Sequence, residues 1–182
     1  MKKLFGLCAL LAAASAALSP AQADFSAFSK GPVFEDFGPV ADVDADFEIP
    51  EGTEFKIVYD TNKGAAPGQL NKTLVTAARF FNMHARAGVP EENIALAIVV
   101  HGKAVQDLTG DAHYAEAMGG ENANAPLLAA LMEKNVRVIV CGQSAAYYGV
   151  TKEDLLPGVE MAISAMTVHS VLQNQGYTLN PF

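Results

Sequence analysis

The stretch from Val136 to Gly149, Val-Arg-Val-Ile-Val-Cys-Gly-Gln-Ser-Ala-Ala-Tyr-Tyr-Gly, decides the fold. Val136, Val138, Ile139 and Val140 form a short β-branched apolar run, the composition of a strand buried on both faces. Cys141-Gly142 ends the run. Gln143-Ser144-Ala145-Ala146 then opens a short helix, with Ser144 its expected cap. Cys141 is therefore expected at the carboxyl end of a strand and just before a helix N-terminus. In open α/β sheets ligands gather at that edge, and the positive end of a helix stabilises a thiolate. The alternative is a small buried residue that only packs, since free cysteine is commonly found in cores.

Upstream, Ile94–Val100 is a nearly unbroken apolar strand that ends in His101-Gly102. If both strands belong to one parallel sheet, His101 and Cys141 share its carboxyl edge, and an imidazole beside a thiol is a common route to a reactive thiolate. The competing reading has His101 bonded to a loop and never meeting Cys141. Strand order decides between them, and sequence does not set it.

Phe55–Asp60 is the first core strand. The loop after it, Thr61 to Gly68, fails as a phosphate loop, because the glycine spacing is wrong and no Lys-Ser/Thr pair follows Gly68. Gln69–Ala87 is helical, with Leu70, Leu74, Ala77, Ala78, Phe81 and Ala85 along one side, and Gly88 and Pro90 stop it. His84, near its end, is expected to favour the helix dipole when charged. Lys103–Gly120 reads as a mobile flap of short helical pieces. Asp111 and His113 within it make a poor metal signal. Asn122 and Asn124 read as turn and capping residues before a helix over Leu127–Glu133.

Past Gly149, Thr151–Asp154 carries a capping-box pattern and is expected to start a helix that Pro157-Gly158 ends. Val159–Ile163 is a strand, Ala165–Gln175 a helix closed by Gly176, and Tyr177–Leu179 a last strand. His169 reads as a helix-face histidine. The alternation predicts a three-layer α/β/α domain around a mainly parallel five-stranded sheet. A dinucleotide fingerprint, a nucleophile elbow and a CxxC pair are all missing.

The N-terminal part is different. Lys2-Lys3, an apolar run from Leu4 to Leu18 and Ala21-Gln22-Ala23 form a secretory signal pattern, residues 1–23, with cleavage expected after Ala23. The run is short for a membrane span of ~20 residues. Cys8 lies inside it, without the flanks of a lipoprotein site. The mature chain is then 159 residues, one domain with a real core. It would carry ten basic and twenty acidic residues, net charge −10. That acidity argues against nucleic acid and anionic membranes. The expected location is the periplasm, and Cys141 would be the one cysteine left, with no disulfide partner in its own chain. Residues 24–54 form an acidic arm. Asp42, Asp44, Asp46 and Glu48 alternate with Val43, Ala45, Phe47 and Ile49, a period of two that suggests an extended strand. A calcium loop fails here, because Phe47 and Thr53 stand where Gly and Glu are required.

Val99–Gly102, Asn122–Leu131, Val138–Ala145 and Asp154–Val159, in that order and spacing, resemble the DsrE/DsrF-like family of small α/β proteins associated with sulfur relay. The resemblance runs from about Phe55 to the C-terminus. It implies a doubly wound sheet and a homo-oligomer, trimeric or hexameric. In the sulfur-relay members it also implies a cysteine carried as a persulfide between donor and acceptor proteins, and Cys141 matches that cysteine. An exported compartment departs from the cytoplasmic setting of sulfur relay.

Two functions of different class follow. In the first, the chain is a sulfurtransferase or sulfur carrier. Cys141 takes the sulfur, His101 hydrogen-bonds or shuttles a proton, and the Gly142 and Gln143 amides stabilise anionic sulfur. Gly102 and Ser144 complete the ligand-binding set, and no metal or organic cofactor is required. In the second, the chain is a non-enzymatic oligomeric module that binds a small ligand or a protein, and Cys141 is structural. Exposure of the thiol separates them.

Overall fold

The computed structural model describes residues 24–181. The expected signal segment, residues 1–23, lies outside the described residues. In chain order the elements are β1 (Phe28–Ser29), β2 (Val40–Ala41), β3 (Phe55–Thr61), α1 (Lys72–Arg86), β4 (Ile94–Val100) and a 3₁₀ segment Gly102–Leu108. Then come α2 (Asp111–Met118), α3 (Ala125–Glu133), β5 (Arg137–Cys141), α4 (Gly142–Tyr147), β6 (Glu160–Ala162), α5 (Ala165–Asn174) and β7 (Thr178–Asn180).

The main sheet has five strands in the order β6-β5-β4-β3-β7, and every pairing in it is parallel. It is the single α/β domain expected. β1 and β2 form a separate antiparallel pair in the arm. The handedness of strand–helix–strand crossovers explains the layering. From β3 through β4 and β5 to β6 the chain steps one way across the sheet. Its helices pack on one face, where Leu74, Phe81, Leu127, Leu128, Leu131 and Ala145 meet Tyr59, Ile98 and Val140. The return from β6 to β7 crosses the whole sheet in the opposite direction. α5 therefore lies on the other face, where Val168 and Leu172 cover Val58, Ala97, Val99 and Ile139.

The connections leaving β5 and β6 thus diverge to opposite faces. This is the switch point at which open α/β sheets form ligand crevices, and Cys141 ends β5 there. The central strands hold that edge firmly. Ile98, Val99, Val138 and Val140 are almost wholly buried, and each such side chain contributes about 1.5–3 kcal/mol on leaving water. At the opposite end of β5, Arg137 clamps Glu160 of β6 through two hydrogen bonds of 2.9 and 2.8 Å.

α1 begins at Asn71, whose side chain accepts from the Thr73 amide at 2.9 Å. Several local expectations are corrected. Asp154 Oδ2 accepts from the Thr151 amide at 2.8 Å and from the Thr151 hydroxyl at 2.7 Å, so only half of the capping box forms, and no helix follows. Only three residues separate Asp154 from Gly158, a turn with φ of 89°, and Leu156 N instead donates to Leu108 O. Lys103–Gly120 is not a mobile flap, because Ala104, Val105, Leu108, Thr109 and Tyr114 are fully buried. Asn122 and Asn124 do more than cap a turn. Asn122 donates to the Asp107 and Thr109 carbonyls, and Asn124 accepts from Asn71 N at 2.7 Å.

Asp42–Ile49 forms no strand. Val43 and Phe47 are 77% and 87% exposed, and only Ile49 packs on the core. The alternation supplies one apolar face, of which only Ile49 meets the core. The arm is instead anchored upstream by Asn82 of α1. Its side chain accepts from the Val33 and Phe34 amides and donates to the Phe34, Phe37 and Gly38 carbonyls.

Candidate functional site

Cys141 ends β5 and is the N-cap of α4. Its thiol meets the start of two helices. The amides of Gln143 and Ser144 at the start of α4, the Ser144 hydroxyl and the Ala165 amide at the start of α5 are the polar groups that favour its thiolate, although its side chain makes no capping hydrogen bond to α4. Burial on its own pushes a thiol up, but these donors outweigh it, and Cys141 is held below the ordinary thiol value. Two amides from α4, one from α5 and a hydroxyl aimed at one sulfur form a place for negative charge.

Ser144 is not the helix cap that sequence suggested. Inside α4, its Oγ accepts from the Gly102 amide at 3.0 Å, so it ties the His101-Gly102 corner to the thiol. Gly102 has φ of 55°, and a Cβ there would meet Asn62 O at 2.8 Å, which restricts the corner to glycine. Gly142 approaches the neighbouring strand so closely that a Cβ would lie 2.6 Å from Ala162 O. Its amide is not among the donors to the thiol; the Ser144 and Ala165 amides take the role expected of it.

His101, at the end of β4, does not hydrogen-bond to Cys141. Its Nε2 lies 3.0 Å from Asp60 Oδ2, and His169 Nε2 of α5 lies 2.7 Å from Asp60 Oδ1. One carboxylate at the end of β3 therefore holds two imidazoles. Burial raises the Asp60 carboxyl, yet the donors from His169 and His101 offset this and hold it below the usual carboxylate range.

Cys141, His101, Asp60 and His169 share the wall of one cavity of about 280 Å³, which Gln143, Ser164 and Met166 help to close. Cys141 itself is only 6% exposed, so a reactant must enter the cavity to reach it. A larger cleft of about 670 Å³ lies on the other side of Asp60, between the Thr61–Asn71 loop and the start of α1, and Cys141 is not in its wall. Of the residues singled out from sequence, the fold brings Cys141, His101 and Gln143 into the cavity. Gly102, Gly142 and Ser144 stand behind the wall and shape it.

Asp60 and His169 were missed. Asp60 had a usable signal: it is a polar residue ending an apolar strand, the same criterion that picked out His101. His169 had only its position four residues after Ala165, one helical turn from the start of α5. His84 is also corrected. Its Nδ1 contacts Phe80 O at 2.7 Å and its ring stacks on Phe80, and burial pushes its pKa down, so the charged form that would favour the helix dipole is disfavoured. His113 pairs with Asp154 at 3.6 Å rather than converging with Asp111. Among the described residues no group of three or more His, Cys, Asp or Glu is arranged to hold a metal, and no helix is long and apolar enough to cross a membrane.

Comparison with known proteins accords with this architecture. Residues 55–181 match the DsrE/DsrF-like family. The solved structure of a protein of unknown function, MTH1491 from Methanobacterium thermoautotrophicum, superposes with a TM-score of 0.53 at 16% identity, over 71% of this chain and 100% of that one. The ychN protein from E. coli aligns at 19% identity with a TM-score of 0.49, over 70% of this chain and 99% of that one. None of the curated proteins compared matches the chain.

Proposed function

The chain belongs to the DsrE/DsrF-like family, and we propose that it is an exported, periplasmic sulfur carrier that holds one sulfur atom as a persulfide on Cys141. The observation that carries this reading is the placement of Cys141 at the carboxyl end of β5, at the N-cap of α4 and in the wall of a cavity with His101, Asp60 and His169; neighbouring amides and the Ser144 hydroxyl hold its thiol below the ordinary value despite burial. The chemistry needs no cofactor. The Cys141 thiolate attacks the outer sulfur of a sulfane donor such as thiosulfate. An S–S bond forms to Sγ, the donor's own S–S bond breaks, and sulfite leaves with the electron pair. The same amides then face the anionic persulfide. An acceptor thiolate attacks the outer sulfur and carries it away, and Cys141 leaves again as thiolate.

The reading includes a homo-oligomer, trimer or hexamer. Ile163 and Met166, at 75% and 77% exposed, together with Val43 and Phe47, offer apolar surface for subunit contact. Light scattering on the mature protein tests this, and a monomer at all concentrations would count against it.

A second reading has its own support. Cys141 is nearly buried, which suits an oligomeric binding module in which the cysteine only packs. Incubation with thiosulfate or polysulfide, followed by intact mass, separates the two. The carrier gains one sulfur atom that reductant removes and that Cys141→Ser never acquires. The binding module gains none.

A further inference from the structure

The cleft of about 670 Å³ between the Thr61–Asn71 loop and the start of α1 differs in charge from the rest of this acidic chain. Lys63 and Lys72 both line it. Neither forms an ion pair among the described residues, whereas Lys30, Arg86, Lys134 and Arg137 all find carboxylates. In a chain with twenty acidic residues, two lysines left unpaired in one cleft need a reason. Asp60 is the one acidic residue in the wall. Alternation along β3 turns its side chain toward the α5 face, where two imidazoles hold its oxygens.

Lys72 also stands at the wrong end of its helix. It is the first residue of α1, and the first turn holds no acidic residue. A cation there opposes the helix dipole, at a position that favours an anion. The Asn71 cap satisfies the Thr73 amide alone. A separate observation comes from Thr61. It is 7% exposed, yet its side chain makes no hydrogen bond to a described residue. Thr61 ends β3 on the face of Tyr59, beneath α1, and lines the cleft. A hydroxyl so nearly enclosed ordinarily has a partner.

The cleft is held in shape from behind. Asp107 accepts from Ala65 N at 3.0 Å and from Asn71 Nδ2 at 2.7 Å, and Asn71 Nδ2 also reaches Lys63 O at 3.1 Å. Both ends of the loop are therefore fixed before a ligand arrives, which lowers the cost of binding one.

We propose that this cleft binds a small phosphate or sulfate monoester, with its oxyanion between Lys63, Lys72 and the start of α1 and with the Thr61 hydroxyl as a further donor. Lysine supplies the charge as a point, which suits a tetrahedral oxyanion. A carboxylate is matched best by the planar fork of arginine, and the wall has none. Asn62 and Gln69 line the rest with unpaired amide side chains, and these suit a polar organic body. The volume is that of a small-molecule site. Cys141 lies outside this wall, and the inference does not rest on its chemistry.

The test is a titration of the nitrogen-15-labelled full mature protein, followed by amide correlation spectra. The probes are sodium phosphate, sodium sulfate and glycerol 3-phosphate, each against sodium chloride at matched ionic strength and pH. Both inorganic ions should give saturable shifts concentrated in residues 61–73, and glycerol 3-phosphate should bind more tightly than inorganic phosphate. Lys63→Gln and Lys72→Gln should each weaken binding about five- to tenfold, and the near-isosteric Thr61→Val about threefold. Lys56→Gln, which removes an unpaired lysine from the far end of β3, should leave affinity unchanged. The same spectra report whether each variant is folded, and the wild-type titration decides the location without any variant. Shifts that are absent, that match those in chloride, or that fall outside residues 61–73 overturn the inference. Equal weakening by Lys56→Gln and Lys72→Gln overturns it too, because the lysines would then act only through net charge. Undiminished binding in Thr61→Val removes the enclosed hydroxyl from the site and overturns the assignment as stated, and an ester no tighter than inorganic phosphate overturns the choice of a monoester.

Discussion

Asp60 Oδ1 lies 2.7 Å from His169 Nε2 across 109 residues of sequence, joining the first strand of the core sheet to its last helix. With His101 on the other oxygen, this contact ties together three residues of the cavity wall that also contains Cys141.

Removing the carboxylate should be visible in acid. The donors from His169 and His101 hold Asp60 below its unfolded value despite burial. A carboxylate lowered on folding stabilises above its unfolded pKa of about 3.9, and that contribution is lost as pH falls through the folded value. Asp60→Asn should cost about 1–2 kcal/mol at pH 7, the low side for charged hydrogen bonds because the group is partly solvated. Urea midpoints should then converge with wild type as pH falls through the lowered folded value. An unchanged gap across that range would contradict the assignment.

Asp107 should behave in the opposite sense. It is 1% exposed, accepts from Ala65 N and Asn71 Nδ2, and burial pushes its carboxyl up more than these donors lower it. For a raised carboxyl the stabilising contribution is complete below about pH 3.9 and declines as pH rises through the folded value. Relative to Asp107→Asn, wild type should therefore lose stability on going from pH 4 to pH 7. Parallel urea midpoints over that interval would refute this.

The Ser144 hydroxyl accepts from Gly102 N at 3.0 Å and is one of the groups that hold the Cys141 thiol below its ordinary value. Ser144→Ala should raise the thiol midpoint by roughly one unit through loss of one donor, and leave the Gly102 amide unpaired at a cost of about 1–3 kcal/mol. Alkylation kinetics report the first and thermal unfolding the second. An unshifted thiol would remove Ser144 from the anion-stabilising set.

The arm depends on one amide. Asn82, fully buried, makes five hydrogen bonds to Val33, Phe34, Phe37 and Gly38. Asn82→Ala should destabilise by about 3 kcal/mol or more and free residues 24–40 to rapid amide exchange. Gly31→Ala should do the same by a different route, because its Cβ would overlap the Asn82 side chain. Protection of the arm in either variant would show that other contacts hold it.

Much of this was legible because it is local. β4 was read to the residue, since a seven-residue apolar run ending in His-Gly admits few alternatives. α1 and α5 followed from periodicity with Gly88 and Gly176 as stops. Strand order was not legible, and with it went the Asp60–His169 contact, whose partners share no local pattern. Thr151–Asp154 misled because Asp154 can accept from the Thr151 amide and hydroxyl in a turn as well as at a helix start. Lys103–Gly120 misled because Gly110, Gly119, Gly120 and its polar residues resemble those of a mobile loop, while Val105 and Leu108 belong to the core. Cys141 was found because its signal, an apolar strand ending before a helix, is contained in ten residues.

The central claim is that Cys141 is a stabilised thiolate in the folded protein. The most direct test is its alkylation rate against pH in the native mature chain, with Cys141→Ser as blank. The account predicts a midpoint well below the free-cysteine value of about 8.5. A thiol that reacts only after unfolding, or that titrates at or above that value, would contradict it.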